Sequence, residues 1–197
     1  MSEAVLRGMT VDEFLQWEDG TDTRYELVNG FVFAMAPPAP PHGRLATALG
    51  GEIRAALRSR LHCGVYGEAG IVRPDRNDTC YVADLAVTCD PPGPDDRLIR
   101  NPVLIVEILS PSTAAFDRQS KVADYRQIAS VQEILLIDSQ TVFAEILRRD
   151  GEHWITEIVQ GPVATLALNS VPLAIPMAEL YEGIALPAPP AGRSGTD

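Results

Sequence analysis

One apolar stretch, residues 101–113, constrains the fold of this 197-residue chain more than any other. It reads Asn-Pro-Val-Leu-Ile-Val-Glu-Ile-Leu-Ser-Pro-Ser-Thr. A run of this length that is rich in Val and Ile and bounded by prolines predicts a strand covered on both faces. Glu107 lies in the middle of it, where an ionised carboxylate is costly unless it is paired, hydrogen-bonded or bound to a metal. The fold must therefore provide a partner for Glu107.

A second predicted strand, residues 81–88, also carries a carboxylate in its interior, that of Asp84. If the two strands are neighbours in the sheet, Asp84 and Glu107 can converge. Two carboxylates, water and a backbone carbonyl suit a hard cation such as Mg²⁺, and the carbonyl of Ile108 is the natural third protein ligand. On its own, Glu107 could instead be a core carboxylate paired with an arginine, and Asp84 could begin a turn.

The lysine content of the chain draws attention to one position. Lys121 is the single lysine among the 16 lysine and arginine residues of the chain. A lysine can lose its proton and carries its charge on one ammonium group, whereas an arginine stays protonated and spreads its charge over a planar group. Asp117 is predicted to cap a helix that reaches about residue 129, which would let Lys121 approach the two carboxylates from that helix. The simpler alternative is an i,i+4 pair with Asp117, worth roughly 0.2–0.5 kcal/mol.

Local patterns predict the remaining elements. Thr10 followed by Glu13 is a capping-box pattern and predicts a helix over residues 10–19. Asn29-Gly30 between two β-prone runs predicts a hairpin of residues 24–35. The other expected elements are a helix over 42–61, short strands at 65–66 and 71–72, a strand over 131–138, a hairpin of 142–148 with 154–159, a weak strand over 164–168 and a helical turn over 178–181.

The net charge of −11 argues against a general nucleic-acid binder, because such proteins usually carry a basic patch. It does not exclude a nuclease, because a bound metal offsets negative charge locally. The three cysteines, Cys63, Cys80 and Cys89, are odd in number and form no CxxC pair, which predicts reduced thiols rather than a disulfide framework or a zinc site.

Two further expectations concern location and domain organisation. No apolar run approaches the roughly 18 residues that span a membrane, and no basic start precedes an apolar run at the N-terminus. We therefore expect a cytoplasmic protein without a membrane partner. Residues 1–186 are predicted to form one domain, and residues 187–197, rich in Pro, Gly and Ser, a disordered tail.

Together these motifs resemble those of a known family. The matching positions are Tyr25-Glu26-Leu27-Val28-Asn29-Gly30, Met35-Ala36-Pro37-Pro38 with His42, Asp84-Leu85-Ala86-Val87, Val106-Glu107-Ile108-Leu109-Ser110-Pro111-Ser112, and then Asp117, Lys121 and Tyr125. Over roughly residues 10–182 the chain resembles the Uma family, restriction-endonuclease-like proteins of the PD-(D/E)XK nuclease superfamily.

The resemblance implies an α/β fold, a restriction-endonuclease-like three-layer core with a mixed central β-sheet flanked by helices. It implies hydrolysis of phosphodiester bonds with Mg²⁺, for which Mn²⁺ can substitute. Asp84 and Glu107 would be the metal ligands. Glu26 would be a further acidic site residue and Lys121 the active-site lysine, and His42 is an additional candidate. From the residues alone, Glu26 could instead be a solvent-facing hairpin residue, and His42 could be the N-terminal residue of a helix.

Two positions depart from the superfamily pattern. Ala83 stands where a proline usually precedes the aspartate, and Leu109 stands where a lysine usually follows the glutamate by two residues. The Uma family shows the same displacement of the lysine to the helix, so Leu109 is not by itself a sign of inactivity. Ala83 is a mild change, because its side chain would point away from the metal.

The leading hypothesis is a Mg²⁺-dependent endonuclease whose substrate is DNA. The alternative is a catalytically silent binding or regulatory module that keeps the nuclease fold, which the acidic net charge motivates. A third hypothesis is metal-dependent hydrolysis of a small phosphate ester. A homodimer is compatible with cutting two strands, because two active sites are then needed and twofold dimers are the commonest oligomers.

Overall fold

The computed structural model describes residues 8–187, which form one large mixed sheet with helices on both faces. The three-layer α/β core expected from the resemblance is confirmed. The elements in chain order are α1 (Val11–Gln16), β1 (Tyr25–Val28), β2 (Phe31–Ala34), α2 (Pro40–Ala56), β3 (Gly64–Val72), β4 (Cys80–Thr88), β5 (Pro102–Leu109), α3 (Ala114–Phe116), α4 (Val122–Tyr125), β6 (Glu133–Asp138), β7 (Phe143–Asp150), β8 (His153–Gln160), β9 (Thr165–Leu168), β10 (Leu173–Pro176) and α5 (Met177–Leu180).

The strand order of the large sheet is β2-β1-β4-β5-β6-β7-β8, and β3 pairs with β4 in addition. Strands β5 and β6 are parallel, whereas the other neighbours are antiparallel. A parallel pair needs a crossover connection, and the helical segment between β5 and β6 provides it. This connection brings the helix that carries Lys121 onto one face of the sheet, beside β5.

Each face of the sheet has its own apolar core. On one face, α2 buries a stripe made of Leu45, Leu49 and Ile53, as the i, i+4 spacing predicts, and α5 and the β9–β10 hairpin complete that layer. A methyl group at Gly50 would lie 3.4 Å from Leu85, so a glycine there permits close packing of α2 on β4. On the other face, Tyr125 and its neighbours in the helical connection cover β5 and β6.

The first hairpin follows the prediction. Asn29 and Gly30 both adopt positive φ, 51° and 83°, as a tight primed turn requires. Strand β1 then pairs with β2 in the register that joins Tyr25 to Ala34. The capping box of Thr10 and Glu13 is also present, on a helix shorter than predicted. Short-range signals were sufficient here because the contacts they describe are local.

The region predicted as two short strands is one nine-residue strand, β3. Its glycines, Gly67 and Gly70, weakened the strand pattern, but the long antiparallel ladder with β4 maintains pairing through them. The ladder has one irregular position, Glu68, whose φ is 51°. Continuing the register places Glu68 opposite Asp84 of β4, so the strand is distorted next to a predicted metal ligand.

The helical connection begins earlier than predicted. It starts at Ala114 and continues through a π-helical turn, Asp117–Lys121, into α4. Asp117 is therefore inside the helical segment and buried, not at its N-terminus as predicted. The helix over 42–61 likewise starts earlier, at Pro40, because prolines are well tolerated in the first turn of a helix.

Two elements predicted near the C-terminal end are present. The strand near 164–168 is β9, and the helical turn near 178–181 is α5. Strand β10, which lies between them, was not predicted. The hairpin across Asp150 and Gly151 is formed by β7 and β8.

Of the predicted tail, residues 188–197 lie outside the described residues. None of the helices between residues 8 and 187 is long and apolar enough to cross a membrane.

The cysteine prediction was wrong for two of the three residues. Cys63 and Cys89 form a disulfide, whereas Cys80 is a free, buried thiol. The two half-cystines directly flank Gly64 and Thr88, a pair in the β3–β4 ladder. Their proximity results from strand register, which the spacing of cysteines along the chain does not reveal.

Candidate active site

Asp84 and Glu107 lie side by side on adjacent strands. The antiparallel ladder between β4 and β5 includes the pair of Leu85 with Val106. Continuing this register by one residue places Asp84 opposite Glu107. In the structure the two acidic strands are neighbours, which is the condition for Asp84 and Glu107 to converge, and the alternative in which Asp84 begins a turn is wrong, because Asp84 lies inside β4.

The carboxylate of Asp84 is fixed at both of its oxygens. Oδ2 accepts a hydrogen bond from the backbone N–H of Ile108 at 2.6 Å. Oδ1 lies 3.2 Å from Nε2 of His42, at the start of α2. The N–H and C=O of one residue in an extended strand point towards the same neighbouring strand, so the carbonyl of Ile108 faces β4 as well. These contacts bring together three of the predicted site residues, Asp84, Ile108 and His42.

Lys121 reaches the same region from the π-helical turn. Its Nζ lies 2.8 Å from Glu26 Oε1, 3.3 Å from Glu107 Oε1 and 3.6 Å from Asp117 Oδ1. It also donates to the backbone carbonyl of Val82 at 3.3 Å. The i,i+4 pair with Asp117 is thus real, but it is the longest of the three ion pairs, and the side chain is directed at Glu26 and Glu107.

Glu26 is a buried residue rather than a solvent-facing hairpin residue. Its Oε1 accepts a hydrogen bond from the backbone N–H of Val82 at 2.8 Å in addition to the ion pair with Lys121. Strand β1 pairs with β4 at Leu27 and Cys80, which places Glu26 beside the first residues of β4. The first hairpin therefore supplies an acidic side chain to the cluster on β4 and β5.

Glu107 is 2% exposed, and its carboxylate meets a lysine and a tyrosine rather than an arginine. The hydroxyl of Tyr125 donates to Glu107 Oε1 at 2.6 Å. Burial raises the pKa of Glu107 to about 8, Lys121 opposes the rise, and the carboxylates of Asp84 and Asp117 add to it. Burial and Glu107 together hold the pKa of the Tyr125 hydroxyl well above its usual range.

Two residues of the cluster were not predicted as site residues. Asp117 was interpreted as a helix cap, and Tyr125 appeared only in the motif comparison. With Lys121 they occupy positions i, i+4 and i+8, so the recurrence of polar residues on one face of a predicted helix was the signal available. π-Helical turns are frequent at functional sites, and here the turn contains both Asp117 and Lys121.

The cluster has an excess of negative charge. Three carboxylates, those of Glu26, Glu107 and Asp117, surround the ammonium group of Lys121. A fourth carboxylate, that of Asp84, lies near Glu107. Burial raises the pKa of Asp117, against the lowering effect of Lys121. Carboxylate oxygens and a backbone carbonyl are the donors that Mg²⁺ and Mn²⁺ prefer, so the residues present fit a hard divalent cation. The Nδ1 atom of His42 is buried beside this cluster and has no hydrogen-bond partner among residues 8–187.

Two uncharacterized proteins from Synechocystis sp. are similar to the chain over most of its length. The protein slr1290 is 30% identical over 189 residues, which cover 90% of this chain and 93% of that protein. The protein sll1609 is 26% identical over 172 residues, which cover 86% of this chain and 97% of that protein.

A solved structure shares the fold. The crystal structure of a putative nuclease belonging to DUF820 from Anabaena variabilis superposes with a TM-score of 0.73 at 20% sequence identity. The superposition covers 90% of this chain and 99% of that chain. The three-layer arrangement is therefore a fold that an independent crystal structure also shows.

A family comparison agrees with the motifs. The Uma2 family, described as "Putative restriction endonuclease", matches residues 11–189. This match spans the hairpin with Glu26, the two acidic strands and the helical segment with Lys121. The chain therefore belongs to the Uma2 family.

Proposed function

We propose that this protein is a Mg²⁺-dependent endonuclease that hydrolyses phosphodiester bonds in DNA. The observation that supports the proposal most strongly is the placement of Asp84 and Glu107 at neighbouring positions of adjacent strands, with the ammonium group of Lys121 3.3 Å from Glu107. Membership in a family described as restriction endonucleases supports the same reaction class.

In this proposal Asp84, Glu107 and the carbonyl of Ile108 hold the divalent cation, and Mn²⁺ can replace Mg²⁺. A cation bound there supplies positive charge for the reacting phosphate and lowers the pKa of a bound water molecule. The N–H of Ile108 and the ring of His42 hold Asp84 in place, and the hydroxyl of Tyr125 holds Glu107. Fixed ligands of this kind reduce the reorganisation needed when charge develops.

The role of Lys121 follows from its surroundings. Burial alone would lower the pKa of Lys121, but the carboxylates of Glu107, Glu26 and Asp117 outweigh burial and hold that pKa above its usual range. These carboxylates therefore favour the ammonium form of Lys121. We assign it the orientation of the attacking water and the stabilisation of negative charge on the phosphoryl oxygens, with Glu26 holding the ammonium at 2.8 Å.

A plasmid-nicking assay tests the proposal. We expect the wild type to relax supercoiled plasmid DNA in Mg²⁺ or Mn²⁺ and to be inactive in EDTA. Asp84→Asn and Glu107→Gln should each reduce the rate by about 100-fold or more, the scale observed when one charge-stabilising group is removed from an active site. Glu179→Gln, which changes an exposed glutamate of α5, is the matched control and should cleave at the wild-type rate. Full activity of Glu107→Gln would exclude the assignment.

The silent binding module remains the competing candidate, favoured by one observation. Lys121 is already held by three carboxylates, and such internal neutralisation is what an inactive descendant of a nuclease would also show. A folded wild type that neither binds divalent cations nor nicks DNA would favour the module. Turnover of a chromogenic phosphodiester without cleavage of DNA would favour a small phosphate ester as substrate.

A further inference from the structure

A second cluster of metal-ligating side chains lies at the end of the β3–β4 pair. His62, Cys63 and Cys89 each present one ligand atom, and these atoms lie within 4.8 Å of one another. Gly64 and Thr88 pair in the ladder, so the two cysteines are held next to each other by the sheet. His62 precedes Cys63 directly and is exposed, while both cysteines are half-buried.

The oxidation state decides whether this cluster can bind a metal. In the structure Cys63 and Cys89 are joined in a disulfide, and the ligand that metals require is the thiolate. A dithiol reductant would donate two electrons and two protons, break the S–S bond and leave two thiols. The reductant would become a disulfide in turn. Because the strand register keeps the two sulfur atoms adjacent, reduction leaves a preformed pair of ligands.

We propose that the reduced chain binds Zn²⁺ through Cys63, Cys89 and His62, and that the disulfide excludes the metal. On binding, the two thiols release two protons to solvent and form two Zn–S bonds, and His62 supplies a neutral imidazole nitrogen. Water fills the fourth position of the tetrahedral site. The two thiolate charges neutralise the charge of the cation.

The chemistry of this cluster separates it from the carboxylate site. Soft thiolates with an imidazole select Zn²⁺, whereas carboxylate and carbonyl oxygens select Mg²⁺ or Mn²⁺. Sequence spacing had argued against zinc, because no CxxC pair is present. The β3–β4 register supplies the adjacency that the spacing lacks. Cys80 is the control cysteine for metal binding by thiolates, because it is buried and burial raises its pKa to about 12.

Cobalt spectroscopy on the full-length protein tests the proposal, because Co²⁺ bound to thiolate gives a charge-transfer absorption that carboxylate ligands do not. The protein is reduced with a dithiol, its thiols are counted, and it is titrated with Co²⁺ under anaerobic conditions. We expect three thiols and an absorption that saturates at one equivalent and disappears when Zn²⁺ is added. The oxidised protein should show one thiol and no such absorption.

Variants complete the test. Cys63→Ser and Cys89→Ser should each abolish the two-thiolate absorption. His62→Gln should weaken Co²⁺ binding while the absorption remains, and Cys80→Ser should behave as the wild type. The proposal is overturned if the reduced wild type shows no thiolate absorption or if Cys80→Ser removes it. It is also overturned if Cys63 and Cys89 cannot be reduced in the folded protein. Far-ultraviolet circular dichroism of each variant establishes that it is folded.

Discussion

Two buried glutamates on adjacent strands, Glu107 on β5 and Glu133 on β6, have opposite environments. Each is 2% exposed. Glu133 accepts hydrogen bonds from Nε of Arg148 at 2.8 Å and from the backbone N–H groups of Asn169 and Ser170 at 2.9 and 2.7 Å. Glu107 meets one lysine, shared with two other carboxylates, and one tyrosine hydroxyl.

The pKa values express this difference. Burial tends to raise the pKa of Glu133, but the hydrogen bonds from Ser170, Asn169 and Arg148 outweigh it and hold that pKa below its usual range. At Glu107, burial prevails and raises the pKa to about 8. A buried carboxylate surrounded by donors stabilises the fold, whereas one buried near other carboxylates is favoured when it is protonated or when a further cation is bound. The contrast separates a structural glutamate from a candidate metal ligand without reference to sequence motifs.

The largest effect on stability is expected from Lys121→Met. This change leaves Glu26, Glu107 and Asp117 without their shared cation, and removing one partner of a buried ion pair costs about 3–5 kcal/mol. We expect the free energy of unfolding at pH 7 to fall by about 4 kcal/mol, measured by urea denaturation. Lys121→Arg keeps the charge and should retain most of the stability, although its planar group should not restore cleavage. A loss below about 1 kcal/mol for Lys121→Met would contradict the account.

The next largest loss of stability is expected from Glu133→Gln. The change removes the charge that compensates Arg148 and replaces one acceptor oxygen by a donor that faces N–H groups. We expect a loss of about 3 kcal/mol in urea denaturation, without loss of nicking activity in the remaining folded protein. Glu157→Gln alters an exposed partner of the same arginine and should cost well under about 1 kcal/mol. Equal losses of stability for the two variants would contradict a structural role for Glu133.

Glu107→Gln should have the opposite effect, and the effect should depend on pH. The folded-state pKa of Glu107 is raised, so the stability that its carboxyl group contributes is present below about pH 4.5 and is lost as the pH rises towards 8. Relative to the wild type, Glu107→Gln should therefore gain stability progressively across that window, with the largest gain at pH 8.

The contribution of Glu133 to stability has the opposite pH dependence. Its folded-state pKa is lowered, so its contribution is present above about pH 4.5 and is lost as the pH falls below that value. Urea titrations of the two glutamine variants between pH 4 and 8 should therefore diverge from the wild type in opposite directions. Parallel curves would show that the two environments do not differ as described.

The smallest effect on stability is expected from Tyr125→Phe. It removes the hydrogen bond to Glu107 and should cost about 1 kcal/mol, with a clear decrease in the nicking rate because Glu107 loses its orientation. Tyr181→Phe is the matched control, since its hydroxyl donates at 2.5 Å to the carbonyl of Asp138, away from the cluster. It should cost a similar amount of stability and leave nicking unchanged. Equal nicking rates for the two variants would exclude a positioning role for Tyr125.

The sequence predicted those features that depend on neighbours along the chain. The hairpin at Asn29-Gly30 follows from the positive φ that both turn positions need, and the strand with Glu107 follows from an uninterrupted apolar run. The sequence placed Asp84 and Glu107 in two consecutive strands, and the sheet shows that these two strands are neighbours. The metal role of these residues stays a prediction, which the experiments above address.

The features that sequence did not predict depend on long-range pairing. Strand β3 is continuous because β4 pairs along its whole length, which no local pattern at Gly67 or Gly70 reveals. Asp117 has the residue type of a helix cap, and only packing shows that it is buried beside Lys121. The disulfide between Cys63 and Cys89 depends on the register of two strands.

The assignment of Asp84 and Glu107 is tested most directly by calorimetric titration of Mg²⁺ and Mn²⁺ into the wild type and into the double variant Asp84→Asn/Glu107→Gln. We expect binding of the cation to the wild type and no binding to the double variant, with the two proteins equally folded by circular dichroism. Glu133→Gln, if folded, should bind as the wild type does. A folded wild type that binds neither cation, or a double variant that binds as well as the wild type, would contradict the assignment of Asp84 and Glu107 as metal ligands.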